Sequence, residues 1–309
     1  RPRRAPPRRG VSRRVLITGA TGFAGRHLVA ACEAAGDEVV AAPPSSELDL
    51  RDPAATRALV AGARPDAVFH LAARAHVGMS WEDPIGTLAD NVAMTSALLE
   101  AVRHEAPEAV VVSVGSGEEY GPPETVPTTE AHPLRPQNPY AVSKASSGLL
   151  ARFYADAHGL RVIHARAFNH AGPGQEPIYA IANFARQFAE GLDAGQDPIV
   201  IVTGSPDTRR DFTDVRDVVH AYRTLAERGE PGLYNVCSGV SRSARELLVA
   251  LGEVAGVAVD HRIDPAKVRA HEVFEIRGAN DRLTAATGWR PEISLEQTLR
   301  DTLAWWRSR

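Results

Sequence analysis

The stretch Val15-Leu16-Ile17-Thr18-Gly19-Ala20-Thr21-Gly22-Phe23-Ala24-Gly25 constrains the fold of this chain more than any other. Its apolar start reads as a short strand buried on both faces. Beyond the glycines, apolar residues recur at Leu28, Val29 and Cys32 with helical spacing, and the pattern ends at Gly36. Glycines at a strand-to-helix turn let the backbone approach a pyrophosphate, whose charge the free amides of the helix N-terminus stabilise. Gly19, Thr21, Gly22, Phe23, Ala24 and Gly25 are therefore expected to hold a dinucleotide.

The rest of the chain repeats this alternation. Strands are expected at 38–42, 67–71, 109–114, 161–167 and 233–237, with helices from Asp52-Pro53, over 83–104, 140–158 and 214–227. Strands alternating with helices of this length imply an α/β fold, a Rossmann-like doubly wound parallel sheet covered on both faces. Ligands on such sheets collect at the carboxyl ends of the strands, where Gly22, Ala72, Ser116 and Asn169 all fall. After Asn169 the pattern becomes irregular, and Ser243 with Glu246 and Ser294 with Gln297 read as capping boxes of two late helices. The expected division is a dinucleotide-binding domain over 15–170 with 213–240 returning to it, and a smaller mixed α/β domain from 171–212 and 241–309.

Composition narrows the function classes. No apolar run among the 309 residues approaches a membrane span, and the two cysteines, Cys32 and Cys237, have no metal-ligand spacing. No metal site is expected, and a reducing cytoplasm is the expected location. Arg1 to Arg14 hold seven arginines and three prolines without an acid, which reads as an unpacked basic arm with no signal-peptide character. The remaining chain has 28 basic against 38 acidic side chains, which argues against a nucleic-acid partner.

A second stretch carries chemistry. Asn138-Pro139-Tyr140-Ala141-Val142-Ser143-Lys144 opens a helix, with Asn138 as its cap and Pro139 at its first position. Tyr140 and Lys144 then share one face, in a chain whose only other lysine is Lys267. An ammonium and a helix N-terminus both favour a phenolate, so Tyr140 is expected to be unusually acidic and to exchange protons with a carbonyl or alcohol. The second strand ends in Ala42-Pro43-Pro44-Ser45-Ser46 and lacks the acid that would grip an adenosine ribose and repel a 2′-phosphate. NADP(H) is favoured and NAD(H) possible, with Ser45, Ser46 or Arg26 as phosphate partners. The turn at Leu48-Asp49-Leu50 resembles one that contacts adenine, through Asp49 and Leu50.

Together these motifs resemble the extended short-chain dehydrogenase/reductase family that works on nucleotide sugars. The resemblance rests on the glycine turn, His70-Leu71-Ala72-Ala73, Ser116 to Tyr120-Gly121, Tyr140 with Lys144, Phe168-Asn169-His170 and Arg210-Asp211-Phe212 with Asp217. Within the family, reductases of GDP-4-keto-6-deoxy-D-mannose match these motifs best. The resemblance implies that Ser116 binds the sugar oxygen at C4, that Tyr140 protonates it as hydride arrives, and that Lys144 holds the nicotinamide ribose. It adds Leu71, Ala72, Ala73, Val114, Phe168 and His170 to the cofactor contacts, and Val77, Ser80, Glu118 and Asn169 to the substrate contacts. Arg210 and Arg269 match family positions that clamp the nucleotide diphosphate, with Arg186 and Glu272 as further substrate residues; Ala270 stands where the family motif has proline.

The family's 4,6-dehydratases place a polar or acidic residue and then a glutamate after the hydroxyl residue. Here Glu118 fills the glutamate place, but Gly117 has no side chain to donate a proton, which favours reduction over dehydration. A 4,6-dehydratase, a 4-epimerase, a ketoreductase of a dTDP-linked sugar and a non-catalytic dinucleotide-binding protein stay as alternatives. The helices at 83–104 and 140–158 match a family dimer interface, with Leu88, Val92, Leu99, Leu149, Leu150 and Phe153 as apolar positions, so a homodimer is expected.

Overall fold

The structure, a computed structural model, describes residues 12–268 and 273–309. Its first half alternates strands with helices, two of which follow β3: β1 (Arg14–Thr18), α1 (Phe23–Ala34), β2 (Glu38–Ala41), α2 (Pro53–Ala63), β3 (Ala67–His70), α3 (Val77–Glu82), α4 (Pro84–Glu105), β4 (Val110–Ser116), α5 (Pro139–His158) and β5 (Arg161–Ala167). The second half adds β6 (Asn169–Ala171), α6 (Ala180–Asp193), β7 (Ile199–Thr203), β8 (Arg209–Asp214), α7 (Val215–Arg228), β9 (Gly232–Val236), β10 (Ser241–Ser243), α8 (Ala244–Ala255), β11 (Val259–Ile263), β12 (Glu275–Ile276), α9 (Asp281–Thr287) and α10 (Leu295–Arg307).

Six strands form one parallel sheet in the order β2-β1-β3-β4-β5-β9. Alternate side chains along each strand serve opposite layers. Val15, Ile17, Phe69, Val112 and Ile163 pack with Leu28 of α1 and Val218, Tyr222 and Leu225 of α7. Leu16, Val68, Val111 and Val162 pack with Val60, Leu98, Val102 and Ala151 of α2, α4 and α5. Burial on both faces explains why these strands read as unbroken apolar runs. Each fully buried leucine in these layers contributes about 2 kcal/mol.

The expected doubly wound fold is what forms. The late segments build smaller sheets: β8 lies between β10 and β12 and also pairs with β6, while β7 pairs with β11. Their apolar side chains, including Phe188, Ile199, Ile201, Leu248, Leu251, Leu299 and Leu303, make a separate core with α6, α8 and α10.

Local readings differ at two places. Arg13 and Arg14 are part of the folded body rather than of a basic arm: Arg13 bridges Asp37 and Glu227, and Arg14 opens β1. The remainder of the expected arm, 1–11, lies outside the described residues. The Ser243 and Glu246 capping box forms, but Gln297 turns its amide to Asp301, so Ser294 caps α10 alone.

Candidate active site

The turn after β1 is shaped for close backbone approach. Gly19 has φ +70°, and a Cβ there would lie 2.7 Å from the amide nitrogen of Ala72. A Cβ on Gly25 would overlap the Gly19 carbonyl, so the helix can pack this tightly only without a side chain. Thr21 and Gly22 are exposed, and α1 starts with no side-chain cap on its first amides. These are the features a bound pyrophosphate requires.

Neighbouring segments close around that turn. Thr18 Oγ1 accepts from the Ala72 amide at 3.3 Å and lies 2.8 Å from His70 Nδ1. Burial, with the nearby Lys144 charge, pushes His70 down to about 3, so its imidazole is neutral. Phe23 stacks on His170 with parallel rings 5.9 Å apart, and His27 and Arg26 reach the carbonyls of Pro173 and Gly174. Arg26 is thus engaged with that loop. At the far end of the cleft Ser45 and Ser46 are exposed beyond β2, Leu50 is buried, and Asp49 pairs with Arg51.

Ser116, Tyr140 and Lys144 converge where β4 meets α5. Asn138 caps α5 by accepting from the Ala141 amide at 2.8 Å, and Pro139 supplies the fixed φ of its first turn. The Asn138 amide also donates to Glu118 at 3.0 Å, which ties the helix start to the turn after β4. Tyr140 and Ser116 are both buried, and the Ser116 hydroxyl is near enough to the phenol to act on its charge. Lys144 is buried, and its ammonium donates to the Val114 carbonyl at 2.7 Å.

The electrostatics correct the expectation of an acidic phenol. Burial raises Tyr140 well above the ordinary phenol value, the nearby Ser116 hydroxyl opposes this, and the carboxylates of Glu118 and Glu119 add to it. Lys144 sits against Val114, and desolvation lowers it to about 8. The phenol is therefore a neutral proton donor near neutral pH, beside an ammonium that is easily deprotonated.

The other candidate residues lie on several elements. Val77 and Ser80 lie on α3, where Ser80 is buried and its hydroxyl donates to the Val77 carbonyl. Asn169 is exposed at the start of β6. Leu71, Ala73 and Val114 are half-buried. Phe168 has its ring in a small core with Tyr120 and Cys237, so the backbone is what it offers to a cofactor. Arg210 donates to the carbonyls of Arg209 and Val273, and Arg186 pairs with Glu190 one turn on. Arg269 and Glu272 lie outside the described residues.

Two features went unread in the sequence. Asn91 Oδ1 accepts from the Arg74 amide, and its Nδ2 donates to both the Arg74 carbonyl and Ser143 Oγ, joining the loop after β3 to α5. Glu119, His164 and Arg166 form a buried charged cluster behind Ser116. The pattern Ser116-x-x-Glu119 was a legible signal for the second, because it is a capping-box spacing.

The family model for the NAD dependent epimerase/dehydratase family matches residues 15–237, which spans the glycine turn, Ser116, Tyr140, Lys144 and β9. The chain belongs to that family. Its members are extended short-chain dehydrogenase/reductases, NAD(P)-dependent enzymes of nucleotide sugars. This family member is 39% identical to the GDP-6-deoxy-D-mannose reductase of Pseudomonas aeruginosa, over 97% of this chain and 99% of that one. It is 32% identical to a UDP-glucose 4-epimerase of Mycolicibacterium smegmatis, over 96% of this chain and 99% of that one. Among solved structures, RMD from Pseudomonas aeruginosa complexed with NADPH superposes with a TM-score of 0.88 at 38% identity, covering 96% of this chain and 98% of that one.

Proposed function

We propose that this chain is an NADPH-dependent 4-ketoreductase of a nucleotide-linked 4-keto-6-deoxyhexose, converting GDP-4-keto-6-deoxy-D-mannose to GDP-D-rhamnose. The observation that carries the reading is the burial of Tyr140 together with Ser116 and Lys144 where β4 meets α5, which favours the neutral phenol. Reduction of a ketone needs a proton donor in the resting site, whereas an enzyme that first oxidises its sugar needs a base. A bound NADPH supplies the hydride. Ser116 donates to the C4 oxygen, and Tyr140 gives it the proton as the alkoxide develops. Lys144 holds the ribose hydroxyls through the donors that Val114 does not use.

The remaining assignments follow the cleft. The acid-free end of β2 and the exposed Ser45 and Ser46 favour a 2′-phosphate, which supports NADP(H), with NAD(H) a weaker ligand. The glycine turn, Asp49, Leu50, Leu71, Ala72, Ala73, Val114 and the backbone at Phe168 and His170 line the cofactor side. The segments around β6, β8 and α6 form the sugar-nucleotide side, with Val77, Ser80, Glu118, Asn169, Arg186 and Arg210. A homodimer through α4 and α5 is supported by the exposed apolar side chains of Leu88, Leu149 and Phe153. Leu99 belongs to the core instead.

A 4,6-dehydratase is the second reading, favoured only by Glu118. The two separate by experiment. Incubation with GDP-4-keto-6-deoxy-D-mannose and NADPH should yield, by mass spectrometry, a product heavier than the substrate by H2. Formation of a 4-keto sugar from GDP-mannose without added reductant would replace reductase by dehydratase.

A further inference from the structure

The geometry points to Glu119 as a positioning residue: it fixes Ser116 at the end of β4 and supplies the negative charge that Tyr140 and Lys144 face. The inference rests on the dinucleotide and reductase reading above. Glu119 is fully buried, and none of its bonds is to solvent. Its Oε1 accepts from the Ser116 amide at 2.8 Å, its Oε2 accepts from Arg166 Nε at 2.7 Å, and His164 Nε2 lies 3.0 Å from Oε1. With the Ser116 hydroxyl accepting from the Glu118 amide at 3.2 Å, the pair forms a reciprocal cap on a single helical turn, Gly117–Tyr120. The residue that would bind the sugar oxygen is thereby held from both its amide and its hydroxyl.

The surroundings are shaped for this cluster. A Cβ on Gly115 would overlap both Glu119 Oε1 and His164 Nε2, and a Cβ on Gly148 would come within 2.7 Å of His164 Nε2. Gly148 lies one turn beyond Lys144 on α5, so the helix that carries Tyr140 and Lys144 leaves its gap over the charged pair. Arg166 lies 4.5 Å above the Tyr120 ring, whose hydroxyl donates to Asn235 at 2.7 Å. Burial raises the Glu119 carboxyl, but His164, Arg166 and the Ser116 amide overcome this and hold it at about 2, ionised at every working pH.

That fixed charge faces the catalytic helix. Tyr140 is faced by Ser116, Glu118, Glu119 and Tyr179, and by Tyr222 from α7; Lys144 is faced by Glu119 and by His70 from β3. Glu119 favours the protonated form of both Tyr140 and Lys144. Removing it lowers the pH at which Lys144 loses its proton and its hold on an anionic dinucleotide.

Two neutral variants test this. Glu119→Gln keeps an acceptor for the Ser116 amide, and Glu119→Gln with Arg166→Met removes both buried charges, a replacement that folds tolerate. NADPH affinity is measured by fluorescence from pH 6 to 10, with affinity at pH 6 and thermal melting as controls of folding. The expected result is an alkaline loss of affinity displaced downward by about one pH unit in Glu119→Gln and displaced less in the double variant, where the opposite charge of Arg166 is lost as well. In the reductase assay Glu119→Ala, which lacks the acceptor, should fall about tenfold below Glu119→Gln in kcat, with KM changed less than about twofold. An unmoved loss of affinity in folded Glu119→Gln overturns the charge role, and equal kcat for the Gln and Ala variants overturns the hold on Ser116. If the unsubstituted enzyme oxidises no NADPH, the reductase reading fails, and the inference is still decided by the binding profile.

Discussion

Phe168 occupies the space that a side chain at position 117 would need. A Cβ on Gly117 would lie 3.1 Å from the Phe168 ring, and the other edge of that ring sits against Gly278, where a Cβ would come within 2.8 Å. A side chain between Ser116 and Glu118 would therefore require the Phe168 ring to give by a few tenths of an ångström. Gly117→Asp should destabilise the fold by about 1–3 kcal/mol without creating dehydratase activity. Chemical denaturation checks the first part, and release of a 4-keto sugar from GDP-mannose by the variant would refute the second.

Lys144 gives the enzyme a pH limit. Its ammonium, lowered to about 8 by desolvation, is present below that pH and is lost above it. Turnover and NADPH affinity should both fall as pH rises through about 8, and an anionic dinucleotide should move the limit upward by favouring the charged form. Lys144→Met should weaken NADPH binding at neutral pH and remove this limb. A binding curve for the variant that still breaks near the same pH would place the titration elsewhere.

Asn138 serves two purposes at once, capping α5 and anchoring Glu118. Asn138→Ala should lower stability by about 1 kcal/mol, the ordinary loss for a helix cap. Because Tyr140 lies in the first turn of that helix, kcat should also fall several-fold. Asn138→Asp keeps the cap but sets a carboxylate against Glu118, so it should recover stability and not activity. Melting curves and steady-state rates measured together distinguish these outcomes.

The apolar side chains on the outer faces of α4 and α5 make a prediction about assembly. Leu149 and Phe153 are 62% and 54% exposed, too open for core residues of a monomer with cores this well filled. Leu149→Glu with Phe153→Glu should shift the mass seen by light scattering from dimer to monomer while leaving the fold intact. A parent protein that runs as a monomer at micromolar concentration removes the dimer.

The strands, the glycine turn and the Tyr140 helix were legible because each depends on local spacing. Val15 to Gly25 encodes strand, turn and helix within eleven residues, and Asn138 announces its helix by capping chemistry alone. The sign of the Tyr140 shift was not legible. It depends on how deeply β4, α5 and α7 bury the phenol and on where Lys144 points, and both are settled by packing across distant segments. The same holds for Glu119, whose partners His164 and Arg166 lie on the next strand. Gly115 on β4 and Gly148 on α5 carry no local signal for the cluster, because what makes a side chain impossible there is the His164 ring packed against both.

The most direct test of the account is the stoichiometry of NADPH oxidation, followed by absorbance, with GDP-4-keto-6-deoxy-D-mannose as substrate. One NADPH should be consumed for each sugar reduced, and Tyr140→Phe should bind NADPH normally while losing at least about 100-fold in kcat. Sugar conversion without net loss of NADPH, or full turnover in the phenylalanine variant, would contradict it.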